Sequence, residues 1–136
     1  MKHHATAVWS GPGKEGNGVL TTESNTLDEQ LYSFDSRFGD APGTNPEELL
    51  AAAHASCYTM KLSFVLGEAG YVPNIIRTTS YVSLINGAIT ESHLIVKADV
   101  PKISKALFES CIKDAEANSP LSMVLKARVR VEYELT

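Results

Sequence analysis

The chain has 136 residues, enough for one domain with a modest hydrophobic core. Hydrophobic residues make up 43% and charged residues 21%, ordinary proportions for a globular chain. A net charge of −4, with twelve dispersed Lys and Arg, excludes a broad nucleic-acid-binding face, which needs clustered basic charge.

No unbroken apolar run reaches the roughly 20 residues that span a bilayer. Met1-Lys2-His3-His4 lacks the apolar core of a signal peptide. The expected location is therefore cytoplasmic, with no membrane partner. Two cysteines, Cys57 and Cys111, are too few for a secreted disulfide framework. In a reducing compartment they are inert core residues, metal ligands or redox-active thiols. His54 and Cys57 are one helical turn apart, but no further ligand pair completes a metal site. His3 and His4 are neighbours on what reads as an opening strand, so their side chains should diverge. No metal is expected.

In chain order, Ala5 to Ser10 alternates and meets a turn signal at Gly11-Pro12-Gly13. Gly18 to Glu23 and Leu31 to Asp35 read as two further short strands, completing an antiparallel meander. Ser36 to Asn45, with Gly39, Pro42 and Gly43, reads as a loop. A helix then opens at Asn45, with Asn45 as N-cap, Pro46 at the first helical position and Glu47 and Glu48 at the positive end of the helix dipole. Glu48 stands where it can complete a capping box. The helix should run to about Ala69, with Gly70 as its stop.

The stretch Leu49 to Cys57 has almost no polar face, and a helix apolar all round is buried on most sides. One chain of this length struggles to enclose a helix of roughly 24 residues, about 36 Å long. Burial between two copies solves this, and a homodimer is expected. Asn74 to Leu84 and Ala88 to Val100 read as two longer strands around an Asn86-Gly87 hairpin turn. Ile103 to Asn118 follows as an amphipathic helix carrying Ile103, Leu107, Phe108 and Ile112 on one face. Ser119-Pro120 opens a short helix through about Leu125, and Ala127 to Leu135 closes the chain as an alternating strand. The elements describe one α+β domain spanning residues 1–136.

A thiol is nucleophilic only as thiolate, and an unperturbed cysteine is only about 3% ionised at neutral pH. Cys57 falls near the middle of its helix, so the helix N-terminus cannot activate it, and burial acts in the wrong direction. A reactive Cys57 needs a cation from elsewhere. Of the four arginines, Arg77, Arg128 and Arg130 are in strands; Arg37 is in the loop ahead of the helix. A guanidinium stays charged when buried and can donate to a thiolate and to a peroxide oxygen.

Phe34-Asp35-Ser36-Arg37-Phe38, then Gly43 to Leu49, then Ala52 to Cys57 closely resemble the OsmC/Ohr family of peroxidases, and more the OsmC branch. The resemblance extends to Trp9, Leu66 to Tyr71 and Val124 to Ala127. It implies an OsmC-like α+β fold, with antiparallel sheets around long central helices in an intertwined homodimer. It implies that Cys57 is the peroxidatic cysteine, Arg37 its activating cation and Glu47 the carboxylate that holds Arg37. Organic hydroperoxides are the implied substrates. The reductant is an external thiol, dihydrolipoyl or another dithiol, with no metal or flavin. Attack of the thiolate on the terminal peroxide oxygen would release an alcohol and leave a sulfenic acid.

Glu47 and Cys57 are about 15 Å apart along a continuous helix. Either Arg37 and Glu47 serve the cysteine of the other subunit, or the helix is broken. The family's second cysteine precedes a proline, and the matching residue here is Ser119, which keeps the helix cap but cannot form a disulfide. Cys111 is about 12 Å upstream along its helix and does not obviously substitute. Ser119 is read as a change that traps the reduced state, as a one-cysteine variant using an external thiol, or as a sign of lost turnover. Phe38, Tyr58, Met60, Leu121 and Met123 are candidates to line an apolar substrate pocket, though each could be ordinary core. The leading function is a thiol-dependent peroxidase. The alternatives are a redox-sensing or ligand-binding dimer without turnover and, more distantly, a thioesterase-like dimer that would not need Cys57.

Overall fold

The computed structural model describes residues 1–136, as two compact units, Met1–Leu49 and Leu50–Thr136. In the N-terminal unit, β1 (Ala5–Ser10), β2 (Asn17–Thr22) and β3 (Gln30–Tyr32) form the expected antiparallel meander. Gly18 on β2 lies under two aromatic rings. A Cβ there would come within 2.4 Å of Tyr32 and 2.7 Å of Trp9, so only glycine allows these rings to close to 5.4 Å. The segment after β3 is not all loop. Phe34–Phe38 forms a short helix, α1, started by a reciprocal cap between Ser33 and Ser36. That cap explains the difference, since neither serine carries an apolar-periodicity signal.

Helix α2 (Pro46–Glu68) is unbroken. Asn45 caps it as expected, accepting from the Glu48 N–H at 2.8 Å. Glu48 completes no capping box: its carboxylate accepts instead from the Thr44 hydroxyl at 2.7 Å. Gly70 ends the helix with φ +90°, while the Gly70 and Tyr71 N–H groups close onto the Gly67 and Leu66 carbonyls.

The C-terminal unit holds a second sheet in the order β4 (Ile75–Ile85), β5 (Ala88–Asp99), β6 (Arg128–Leu135). Asn86 and Gly87 both take positive φ, as a two-residue hairpin turn requires. This sheet is not wholly antiparallel, because β6 runs parallel to β5. The two helices between them, α3 (Lys105–Asn118) and α4 (Pro120–Val124), form the crossover that a parallel pair needs. Leu94, Val96 and Ala98 on the central strand meet Tyr58, Leu62, Val65 and Leu66 of α2 and Phe108, Cys111, Ile112 and Ala115 of α3.

Only one face of α2 is buried in this core. Met60 and Phe64 on the other are each 65% exposed, alongside exposed Ala52, Ser56, Ser63 and Gly67. The apolar stretch is therefore not enclosed by its own chain. Serine, threonine, histidine and Lys61 break the apolar run of α2, yet its mean hydropathy reaches 1.3 over 18 residues. By length and composition this helix could cross a membrane, contrary to the expectation from run length. Its inner face packs as a core helix does, on protein.

Phe108 is fully buried, edge-on to Tyr133 at 5.6 Å. Phe108→Ala is expected to lower the unfolding free energy by about 3–5 kcal/mol, read from the urea midpoint.

Candidate active site

Arg37 is held in the N-terminal unit by a chain of polar contacts. Ser36 on α1 donates its hydroxyl to the Thr44 carbonyl at 2.8 Å, and the Asn45 amide donates to the Ser36 carbonyl at 3.2 Å. These fasten the loop between α1 and α2 so that Arg37 faces Glu47. Arg37 Nε donates to both Glu47 oxygens at 3.0 and 3.1 Å, and Nη2 donates to Oε1 at 2.5 Å. The guanidinium also lies 5.2 Å from the Phe38 ring centre. The paired carboxylate raises Arg37 further above its ordinary range, and the same hydrogen bonds hold Glu47 below the usual carboxylate value. Both stay charged at neutral pH. Glu47 spans Nε and Nη2, which leaves the Nη1 donors for another acceptor. A hollow of about 120 Å³ beside Arg37 is lined by Trp9, Tyr32, Phe34 and Phe38, so Phe38 belongs to the arginine's surroundings.

Cys57 is half-buried on the C-terminal unit's part of α2, and its Sγ meets the Ser119 hydroxyl at 3.3 Å. Ser119 is fully buried at the N-cap of α4, yet its side chain makes no capping hydrogen bond. The residue type suits a cap; the hydroxyl is turned to sulfur instead. An apolar slot of about 320 Å³ opens at Cys57, lined by Ser56, Met60, Lys61, Phe64 and Pro120. Of the five proposed pocket residues, Met60 alone lines it. Tyr58 is no pocket residue: one position past Cys57 turns it about 100° around the helix, into the core, where its hydroxyl donates to the Ile112 carbonyl at 3.1 Å. Leu121 and Met123 are not among the slot's lining residues, and Met123 is 68% exposed. Lys61 and Phe64, missed by the sequence reading, follow Cys57 by four and seven residues, the spacing of one helix face.

Cys111 is buried among Phe108, Ile112 and Ala115, and burial pushes its thiol up, away from reactivity. His54, one turn before Cys57, is fully buried and bonded at both nitrogens, to the Ser92 hydroxyl at 2.6 Å and the Ser122 hydroxyl at 2.8 Å. Ser92 continues to Ser80 at 3.0 Å. His54 is thus a satisfied core histidine that ties α2 to β5 and α4. No cluster of three or more His, Cys, Asp or Glu that could hold a metal is found. His3 and His4 do not diverge: both reach Glu23, at 2.7 and 3.7 Å, because β1 begins only at Ala5.

A half-exposed thiol on a long helix, with a charged arginine–carboxylate pair on the same chain, defines a cysteine-chemistry protein of OsmC-like α+β fold. The family model for OsmC-like proteins matches residues 39–134, and the chain belongs to that family. It is 46% identical over 133 residues to Peroxiredoxin OsmC of Escherichia coli (strain K12), covering 95% of this chain and 93% of that protein. The fold matches an OsmC-like protein from Mycoplasma pneumoniae, with TM-score 0.78, 14% identity and coverage of 100% and 98%. It also matches the organic hydroperoxide resistance protein OhrB of Bacillus subtilis, with TM-score 0.69, 21% identity and 98% coverage of both chains.

Burial holds the His54 imidazole below its ordinary 6.5. Above that pH both folded and unfolded chains are neutral at His54, and nothing changes. As pH falls below 6.5 the unfolded chain takes the proton first, so stability declines until the lowered native value is reached. The urea midpoint of the wild-type chain should therefore fall more steeply below pH 6.5 than that of His54→Gln.

Proposed function

We propose that this chain is a thiol-dependent peroxidase that reduces organic hydroperoxides to alcohols with Cys57 as nucleophile. The observation that carries the reading is Cys57 Sγ, half-buried at an apolar slot lined by Met60 and Phe64. Kinship with a peroxiredoxin supports it and disfavours a non-turnover sensor. The alkyl group of a hydroperoxide fits such a slot, gaining roughly 25 cal/mol per Å² of apolar surface removed from water. Hydrogen peroxide has no such group. The thiolate attacks the terminal oxygen, the O–O bond breaks, and the departing alkoxide takes a proton. Arg37 is the activating cation, held ready by Glu47, and an external thiol such as a dihydrolipoyl group or another dithiol is the reductant.

The working unit is a homodimer. Glu47 precedes Cys57 by ten residues on an unbroken helix, a rise of about 15 Å. A second copy can supply the Arg37–Glu47 pair to Cys57. The exposed face of α2, with small Ala52, Ser56, Ser63 and Gly67 beside Met60 and Phe64, suits close packing against that copy. The dimer acts in the cytoplasm, where both thiols stay reduced, with neither nucleic acid nor membrane as partner.

Reduced protein with dithiothreitol should consume cumene hydroperoxide catalytically, and hydrogen peroxide much more slowly. Cys57→Ala should abolish turnover, and Arg37→Met should lower kcat/KM by on the order of 10²-fold. Undiminished turnover in Cys57→Ala would refute the reading.

A further inference from the structure

The polar contact at Cys57 bears on how the oxidised cysteine returns to thiol. Ser119 is fully buried, its backbone carbonyl accepts from the Met123 N–H at 3.0 Å, and its hydroxyl forgoes the α4 cap to meet Cys57 Sγ at 3.3 Å. The side chain that meets the sulfur therefore presents an oxygen, which cannot take part in a disulfide. The chain's other thiol is Cys111, eight residues earlier on α3, about 12 Å along the axis from the residue that touches Cys57. It is enclosed in the core cluster of which Cys57 is not a member. A disulfide needs Cα atoms within roughly 7 Å and Cβ atoms turned toward each other.

Building on the peroxidase reading, we infer that this chain runs a one-cysteine cycle, in which oxidised Cys57 persists as a sulfenic acid beside Ser119 until a thiol from outside resolves it. In the first step the Cys57 thiolate takes the terminal peroxide oxygen, and the alkoxide leaves and is protonated to the alcohol. An incoming small thiol then attacks the sulfenic sulfur and expels the oxygen as water, forming a mixed disulfide with Cys57. A second thiol equivalent attacks that bond, frees the Cys57 thiol and leaves as the oxidised disulfide of the reductant. Each turnover therefore consumes two external thiol equivalents per peroxide, with no disulfide between two protein cysteines at any stage. The Ser119 hydroxyl stays within hydrogen-bond reach of the sulfur without supplying electrons. With excess peroxide and no thiol, the stalled sulfenic acid proceeds to sulfinic acid.

The test uses the full-length protein, one equivalent of cumene hydroperoxide and no reductant, followed by intact mass and peptide mapping. The expected product gains one oxygen at Cys57, reacts with dimedone, and with 2-mercaptoethanol becomes the mixed disulfide. Cys111→Ala should behave identically and keep full turnover with dithiothreitol. Ser119→Cys should instead lose two hydrogens within the chain, which verifies that position 119 is where a resolving sulfur would act. Loss of two hydrogens in the unsubstituted chain, or a disulfide between chains, would overturn the one-cysteine cycle while leaving the peroxidase intact. Retention of the unmodified mass together with unconsumed peroxide would overturn both.

Discussion

The site depends on how Arg37 is restrained. A free arginine on a short helix would sweep several ångströms, but here three hydrogen bonds to Glu47 and the Phe38 ring fix its guanidinium. That fixation keeps the cation charged and oriented, with its outer donors unspent. It also binds the cation to the first turn of α2, ten residues before Cys57 on the same helix. On the proposed dimer reading the pair is one half of a site, and the exposed, small-residue face of α2 is where the second copy would pack.

Helix α2 thus serves two surfaces. Its inner face, with His54, Tyr58, Leu62, Val65 and Leu66, is buried and anchored by polar bonds to β5, α3 and α4. Its outer face, with Ser56, Met60 and Phe64, borders the slot at Cys57. Cys57 lies between the two, supported on the core side and reachable on the other. The inner network holds the helix against the core; the outer face lines the opening at the sulfur.

Much of this was legible in the sequence because it follows local rules. The Asn45-Pro46 start, the Gly70 stop, the Asn86-Gly87 hairpin and the alternation of the last strand each have a backbone cause within a few residues. The block from Phe34 to Cys57 carried the family and the candidate roles of Cys57, Arg37 and Glu47. What escaped depended on long-range partners. Nothing near Ser119 says that its hydroxyl faces a sulfur 62 residues away instead of its own helix. The parallel course of β6 depends on a two-helix crossover, and periodicity does not record strand direction. Tyr58 was proposed for the pocket on apolar character alone, where helical geometry would have favoured Lys61 and Phe64.

The claim most exposed to test is that Cys57 is served by the Arg37–Glu47 pair of a second copy. Cys57→Ala and Arg37→Ala chains, the first inactive and the second strongly impaired alone, would be mixed, unfolded and refolded together, and assayed for cumene hydroperoxide reduction. If the pair acts across subunits, mixed dimers carry one complete site, and random pairing should restore about a quarter of wild-type activity. If mixtures that do exchange subunits show no more activity than the parents, Arg37 does not act on the other copy's cysteine, and the account of the site is wrong.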